Sequence, residues 1–128
     1  MSNRTIKFRG MRKDNNEWIV GDLVHRALTA FHYVSEIGIK PIDCYPIEVI
    51  PETVGQFTGL LDKNGVEIYE GDWLYVSLGY GSRVDFEDGM FVSVYSHPED
   101  GETLPLIDVI SDKIEVTSNI HQHPTHNG

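Results

Sequence analysis

Pro51-Glu52-Thr53-Val54-Gly55-Gln56-Phe57-Thr58-Gly59-Leu60-Leu61-Asp62-Lys63-Asn64-Gly65-Val66-Glu67-Ile68-Tyr69-Glu70-Gly71-Asp72 alternates short β-favouring runs with glycine turns. It opens on a proline that starts a turn. A short strand follows around Gln56-Phe57-Thr58. Asp62-Lys63-Asn64-Gly65 then reads as a type I turn closed by a glycine at positive φ. Gly71-Asp72 launches a further strand, the glycine allowing a sharp turn and the aspartate capping a backbone N–H. Four glycines in 22 residues leave no room for a helix, because each costs about 1 kcal/mol inside one.

The same pattern extends outward on both sides. Thr5-Ile6-Lys7-Phe8-Arg9 alternates polar and apolar residues, as a half-buried strand does. Trp18-Ile19-Val20 and Leu23-Val24 bracket a Gly21-Asp22 pair. Phe31-His32-Tyr33-Val34 and Pro46-Ile47-Glu48-Val49-Ile50 are rich in β-favouring side chains. Downstream, strand patterns cover residues 73–76, 83–86, 90–95, 104–109 and 113–116. Asp14-Asn15-Asn16 and Glu87-Asp88-Gly89 are the turn chemistry between neighbouring runs. No window of 11 residues carries apolar positions at helical spacing. The expectation is an all-β, strongly twisted, antiparallel, barrel-like unit with at most one short helical turn.

The chain has 128 residues, one ordinary domain, with 40% hydrophobic residues, enough for a core without staples. We expect a β domain over residues 1–120, with a division into two lobes near residue 51 as an option, and a polar tail over 121–128. No apolar run approaches the ~18 residues of a spanning helix, and no apolar signal-peptide core follows the N-terminus. Cys44 is the one cysteine, so an intrachain disulfide is excluded and a cytoplasmic setting is expected.

Twenty acidic residues against ten basic give a formal charge of −10, which argues against a phosphate-binding surface. Solubility through self-repulsion is the favoured reading of this charge, and a surface for a basic partner is the sharper one. Trp18-Ile19-Val20-Gly21-Asp22-Leu23-Val24 and Ile68-Tyr69-Glu70-Gly71-Asp72-Trp73-Leu74 share a Gly-Asp pair between apolar flanks. Their flanks diverge further out, so independent use of one turn is favoured over a repeat.

The central block resembles the signature of the YopX family of phage and prophage proteins. Ile6-Lys7-Phe8-Arg9-Gly10 with Trp18 and Gly21-Asp22 resembles that family's beginning. Ile114-Glu115-Val116 with Asn119-Ile120 and Pro124 resembles its end. The resemblance implies a small, mostly β protein of a phage or integrated element, without an established activity. It carries over no catalytic or ligand-binding residue. The signature positions Gly55, Phe57, Gly59, Asp62, Gly65, Tyr69, Gly71 and Asp72 read as structural. Residues 25–45 and 97–103 fit no pattern of the family.

His121, His123 and His126 are the candidates for a metal site, since His-x-His spacing can hold zinc or nickel. A polar tail is the favoured reading, so no cofactor or metal is expected. His25, His32 and His97 are scattered. Glu52, Asp62, Glu67, Glu70 and Asp72 could supply a general acid and base, but turn and strand-entry roles explain each of them more simply. There is no Gly-x-Ser-x-Gly elbow, and Gly79 and Gly81 read as a hairpin turn, not a phosphate loop. Trp18, Trp73, Tyr75, Tyr80, Phe86, Phe91 and Tyr95 could stack bases, with core packing the favoured use. A non-enzymatic binding protein is therefore expected. Self-association is expected from the open strand edges. A host or phage protein is the expected partner, with nucleic acid less favoured and no membrane contact. A nucleic-acid accessory and a carboxylate enzyme are the rival functions.

Overall fold

The computed structural model describes residues 5–28, 34–77, 80–95, 103–109 and 114–121. Eleven strands dominate them: β1 (Phe8–Met11), β2 (Trp18–Leu28), β3 (Val34–Lys40), β4 (Ile47–Glu48), β5 (Gly55–Leu61), β6 (Glu67–Tyr69), β7 (Asp72–Ser77), β8 (Tyr80–Glu87), β9 (Met90–Tyr95), β10 (Thr103–Pro105) and β11 (Glu115–Asn119). A 3-10 turn at Pro51–Thr53 and a four-residue helical turn, α1 (Leu106–Val109), are the helical pieces. The all-β expectation holds. Contacts divide the chain into two compact units, Met1–Phe57 and Thr58–Gly128.

In the first unit the antiparallel order is β4-β3-β2-β1-β5, with β5 running on past Phe57 to neighbour β6. Asn16 takes the left-handed backbone (φ 59°) that lets the β1–β2 hairpin turn, and the Asn15 side chain accepts the Glu17 N–H at 2.9 Å. Arg12 clamps Asp14 across this turn, and their hydrogen bond holds the exposed carboxyl below its usual range. Ile39 and Val49 are fully buried, and all three Val49 carbons beyond Cα crowd the empty side of Gly10. Thr53 fastens the 3-10 turn, donating to the Ile50 carbonyl (2.6 Å) and accepting the Met11 N–H (2.9 Å).

In the second unit the order is β10-β9-β8-β7-β11, all antiparallel. Its core is Ile68, Leu74, Val84, Leu106 and Ile114, with Leu60, Phe91, Val109 and Val116 packed around them. Asp88 and Gly89 both have positive φ (52° and 78°), the mirror-image geometry that suits the twist of β8–β9.

Three expectations are corrected. Neither sheet closes into a barrel among the described residues. Each order runs between two edges, and the edge strands are short: β4 has two residues and follows Pro46, and β10 contains Pro105. Residues 104–109 are not one strand, because after Pro105 the chain coils into α1. Leu106 is buried there, Val109 packs beside the same core and Ile107 is exposed, a spacing of three that only a helical turn satisfies. Gly21-Asp22 is no turn, since β2 runs straight through it. The Phe31-His32-Tyr33 part of one expected strand lies outside the described residues, as do His97, Gly79 and the Tyr80 side chain.

Candidate functional site

The signature block spans the end of the first unit and the start of the second, and each part has a defined local task. In the first unit Gly55 is buried opposite Arg9, and the buried Phe57 ring lies 5.0 Å from the Lys7 ammonium. A second cation, the Arg9 guanidinium, lies 4.6 Å from the Trp18 ring.

In the second unit the site is built on two aspartates. Asp62 heads the 62–65 turn and is 7% exposed. One carboxylate oxygen accepts the N–H groups of Asn64 (2.8 Å) and Val66 (2.9 Å), and the other accepts Val116 of β11 (2.9 Å). Burial pushes the Asp62 carboxyl up, but the three backbone donors outweigh it and the net direction is down. Gly65 (φ 79°) closes the turn, its N–H meeting the Asp62 carbonyl at 3.0 Å. Lys63 donates its N–H to the Ile114 carbonyl, and its ammonium lies 3.6 Å from Glu115. The whole turn is thereby clipped to β11.

Asp72 is fully buried and accepts the Tyr69 N–H at 2.7 Å. Gly71 between them has φ 94°, donates to the Val84 carbonyl and accepts from Ile120. A Cβ at Gly71 would meet only the His121 ring and Ile120 at ordinary contact distances. Gly71→Ala should therefore cost the strain of the left-handed backbone alone, about 1–2 kcal/mol, read as a lowered urea midpoint. Unchanged stability would show that this turn relaxes freely. Gly59 also has positive φ (85°). Beside it the Thr58 hydroxyl donates to the Ile68 carbonyl (2.8 Å) and accepts from Leu60 N–H (3.2 Å), bridging the kink.

These contacts decide what the carboxylates can do chemically. Asp62 has both oxygens engaged and holds no proton at neutral pH, so it is a poor acid and a poor base. Asp72 is committed to its turn, and Glu67 accepts the Tyr69 hydroxyl at 3.1 Å. Glu52 is exposed on the 3-10 turn in the other unit. His121 lies beside Gly71, His25 is exposed, and His123, His126 and His32 lie outside the described residues. Among the described residues no three His, Cys, Asp or Glu side chains are grouped as a metal ion would need. No helix among them is long and apolar enough to cross a membrane.

The aromatic set is scattered in burial. Trp73 is buried, whereas Tyr75 and Phe86 are exposed, and Phe86 meets Phe91 edge-on at 5.0 Å. The net charge alone conceals one feature. The first unit carries seven basic and seven acidic residues, the second three basic and thirteen acidic. All of the excess negative charge therefore belongs to residues 58–128.

The family model described as "YopX protein" matches residues 7–126, nearly the whole chain. Among solved structures, the crystal structure of protein EF1440 from Enterococcus faecalis is similar with a TM-score of 0.55 and 22% identity, covering 96% of this chain and 98% of that one. At that identity the likeness concerns the fold. No curated protein matches the chain.

Proposed function

The chain belongs to the YopX protein family, and from that premise we propose that it is a phage- or prophage-encoded cytoplasmic accessory protein that acts by binding another protein, without catalysis. The observation that carries this reading is the segregation of charge: a neutral first unit joined to a second unit holding the entire −10. A surface of one sign steers and retains partners of the opposite sign. The partner is a basic protein of the host or the phage. Nucleic acid, bearing the same sign as the second unit, is repelled by it. The enzyme reading loses ground because Asp62 and Asp72 are spent on backbone N–H groups. The signature positions act as structural anchors of the strand-turn-strand block. Self-association, where it occurs, runs through the neutral first unit, since two second units repel each other.

A tagged pull-down from bacterial host extract, with and without nuclease, tests the reading by mass spectrometry. We expect a defined basic protein that survives nuclease and is released by moderate salt. A partner set that vanishes with nuclease would replace this reading with the nucleic-acid one. An empty pull-down would end both.

A further inference from the structure

We propose that the tip of the β8–β9 hairpin is the docking element of the second unit, and that its occupant is a Lys/Arg-rich protein segment carrying an apolar anchor. This rests on the binding-protein reading and names the surface that serves it.

Residues 86–90, Phe86-Glu87-Asp88-Gly89-Met90, are exposed without a break. Two of them are large and apolar, Phe86 at 48% and Met90 at 45% exposure. Isolated exposed apolar side chains are ordinary. Here the two are gathered at one hairpin tip, Met90 directly beside the Asp88-Gly89 turn and Phe86 one rung below it, with Glu87 and Asp88 between them in the chain. Phe86 sits opposite Phe91, its ring held edge-on at 5.0 Å, while Met90 sits opposite Glu87 on the other face. The tip therefore offers an apolar contact on both faces.

The presentation is rigid. Six consecutive rungs, from Ser82↔Tyr95 to Glu87↔Met90, pair the two strands below the tip. Phe91 at its base packs against the core of the unit. A preorganised tip loses little conformational entropy on binding.

Charge selects the occupant. Asp85, Glu87 and Asp88 surround the apolar pair, and Asp85 is faced by Arg83 at 3.3 Å. The unit behind them has thirteen acidic residues against three basic. A second copy of this unit would meet like charge, and so would nucleic acid. A basic segment with an aromatic or aliphatic side chain satisfies both parts of the tip.

The test pans a library of random 12-residue peptides against the full chain at low salt. Enriched peptides are then titrated against the wild type, Phe86→Ser and the double variant Glu87→Lys with Asp88→Asn. Asparagine tolerates the left-handed backbone of position 88, so the double variant keeps the turn, and circular dichroism checks both folds. We expect enriched peptides with excess Lys and Arg around one apolar residue, weakened about tenfold by either change. Neutral or acidic winners, or binding unchanged in both variants, would overturn the hairpin assignment. If a nuclease-resistant partner from extract is held equally by the wild type and both variants, the hairpin assignment falls and the binding-protein reading stands. If the full chain holds nothing in either assay, both fall.

Discussion

Gly21→Ala should lower the melting temperature by roughly 10 °C, a loss of about 3 kcal/mol in a chain of this size. Gly21 lies inside β2, opposite Phe8 of β1, with ordinary strand backbone. Its lack of a side chain serves a neighbour on the other side. A Cβ built there would overlap the Lys40 carbonyl oxygen and come within 2.8 Å of the Pro41 nitrogen. These are backbone atoms at the end of β3, where the chain leaves the sheet through Pro41, so no side-chain rotation relieves the clash. The strands would have to part at the Asp22↔Lys40 rung. Gly59→Ala is the matched control, with positive φ but open space around it. Its cost should be the smaller strain term alone. Equal melting of Gly21→Ala and wild type would show that the Lys40 approach is not what requires the glycine.

That contact also explains where sequence reading succeeded and where it stopped. Asp88-Gly89 and the 62–65 turn were legible because their chemistry is local: residues that accept positive φ lie between alternating runs. Gly21-Asp22 uses the same letters, yet its meaning depends on Lys40, which arrives only when β3 pairs. The resemblance between the two Gly-Asp segments accordingly dissolves. Gly71 is a left-handed turn residue before a buried Asp72, whereas Gly21 is an extended strand residue before an exposed Asp22. Barrel closure was illegible for a related reason. Strand patterns announce strands, but the short β4 and the proline in β10 decide where pairing ends. Within the apolar run 104–109, Pro105 is the residue at which β10 ends and α1 begins. At the site, the role of Asp62 as turn head was readable, but its third donor, Val116, lies 54 residues away. The sequence marks the hairpin tip as a turn and favours core packing for Phe86, which is exposed, because alternation says which residues share a face and not what covers that face. The net charge hid the segregation, which emerges only when the two units are counted apart.

Asp62→Ala should cost about 2–4 kcal/mol, and the cost should depend on pH. The substitution strips acceptors from the N–H groups of Asn64, Val66 and Val116 at once. Asn64 is exposed and water can recover its N–H, whereas Val116 loses the link between the turn and β11. Asp62→Asn should rescue little. One amide oxygen can still serve Asn64 and Val66, but the NH2 group then faces the Val116 N–H, donor against donor. The pH dependence follows from the direction of the carboxyl shift. Burial raises the folded value, the three donors more than reverse it, and the result lies below the ordinary 3.8. Between the lowered folded value and the unfolded one, the unfolded chain binds more protons, so stability rises with pH. The Asp62 contribution is thus complete above the unfolded value and is lost as pH falls through the folded one. In wild-type protein, melting temperature should drop steeply below about pH 4, and the gap to Asp62→Ala should narrow over the same range. Parallel curves for the two proteins down to about pH 2 would mean that the Asp62 charge does not hold the turn to β11.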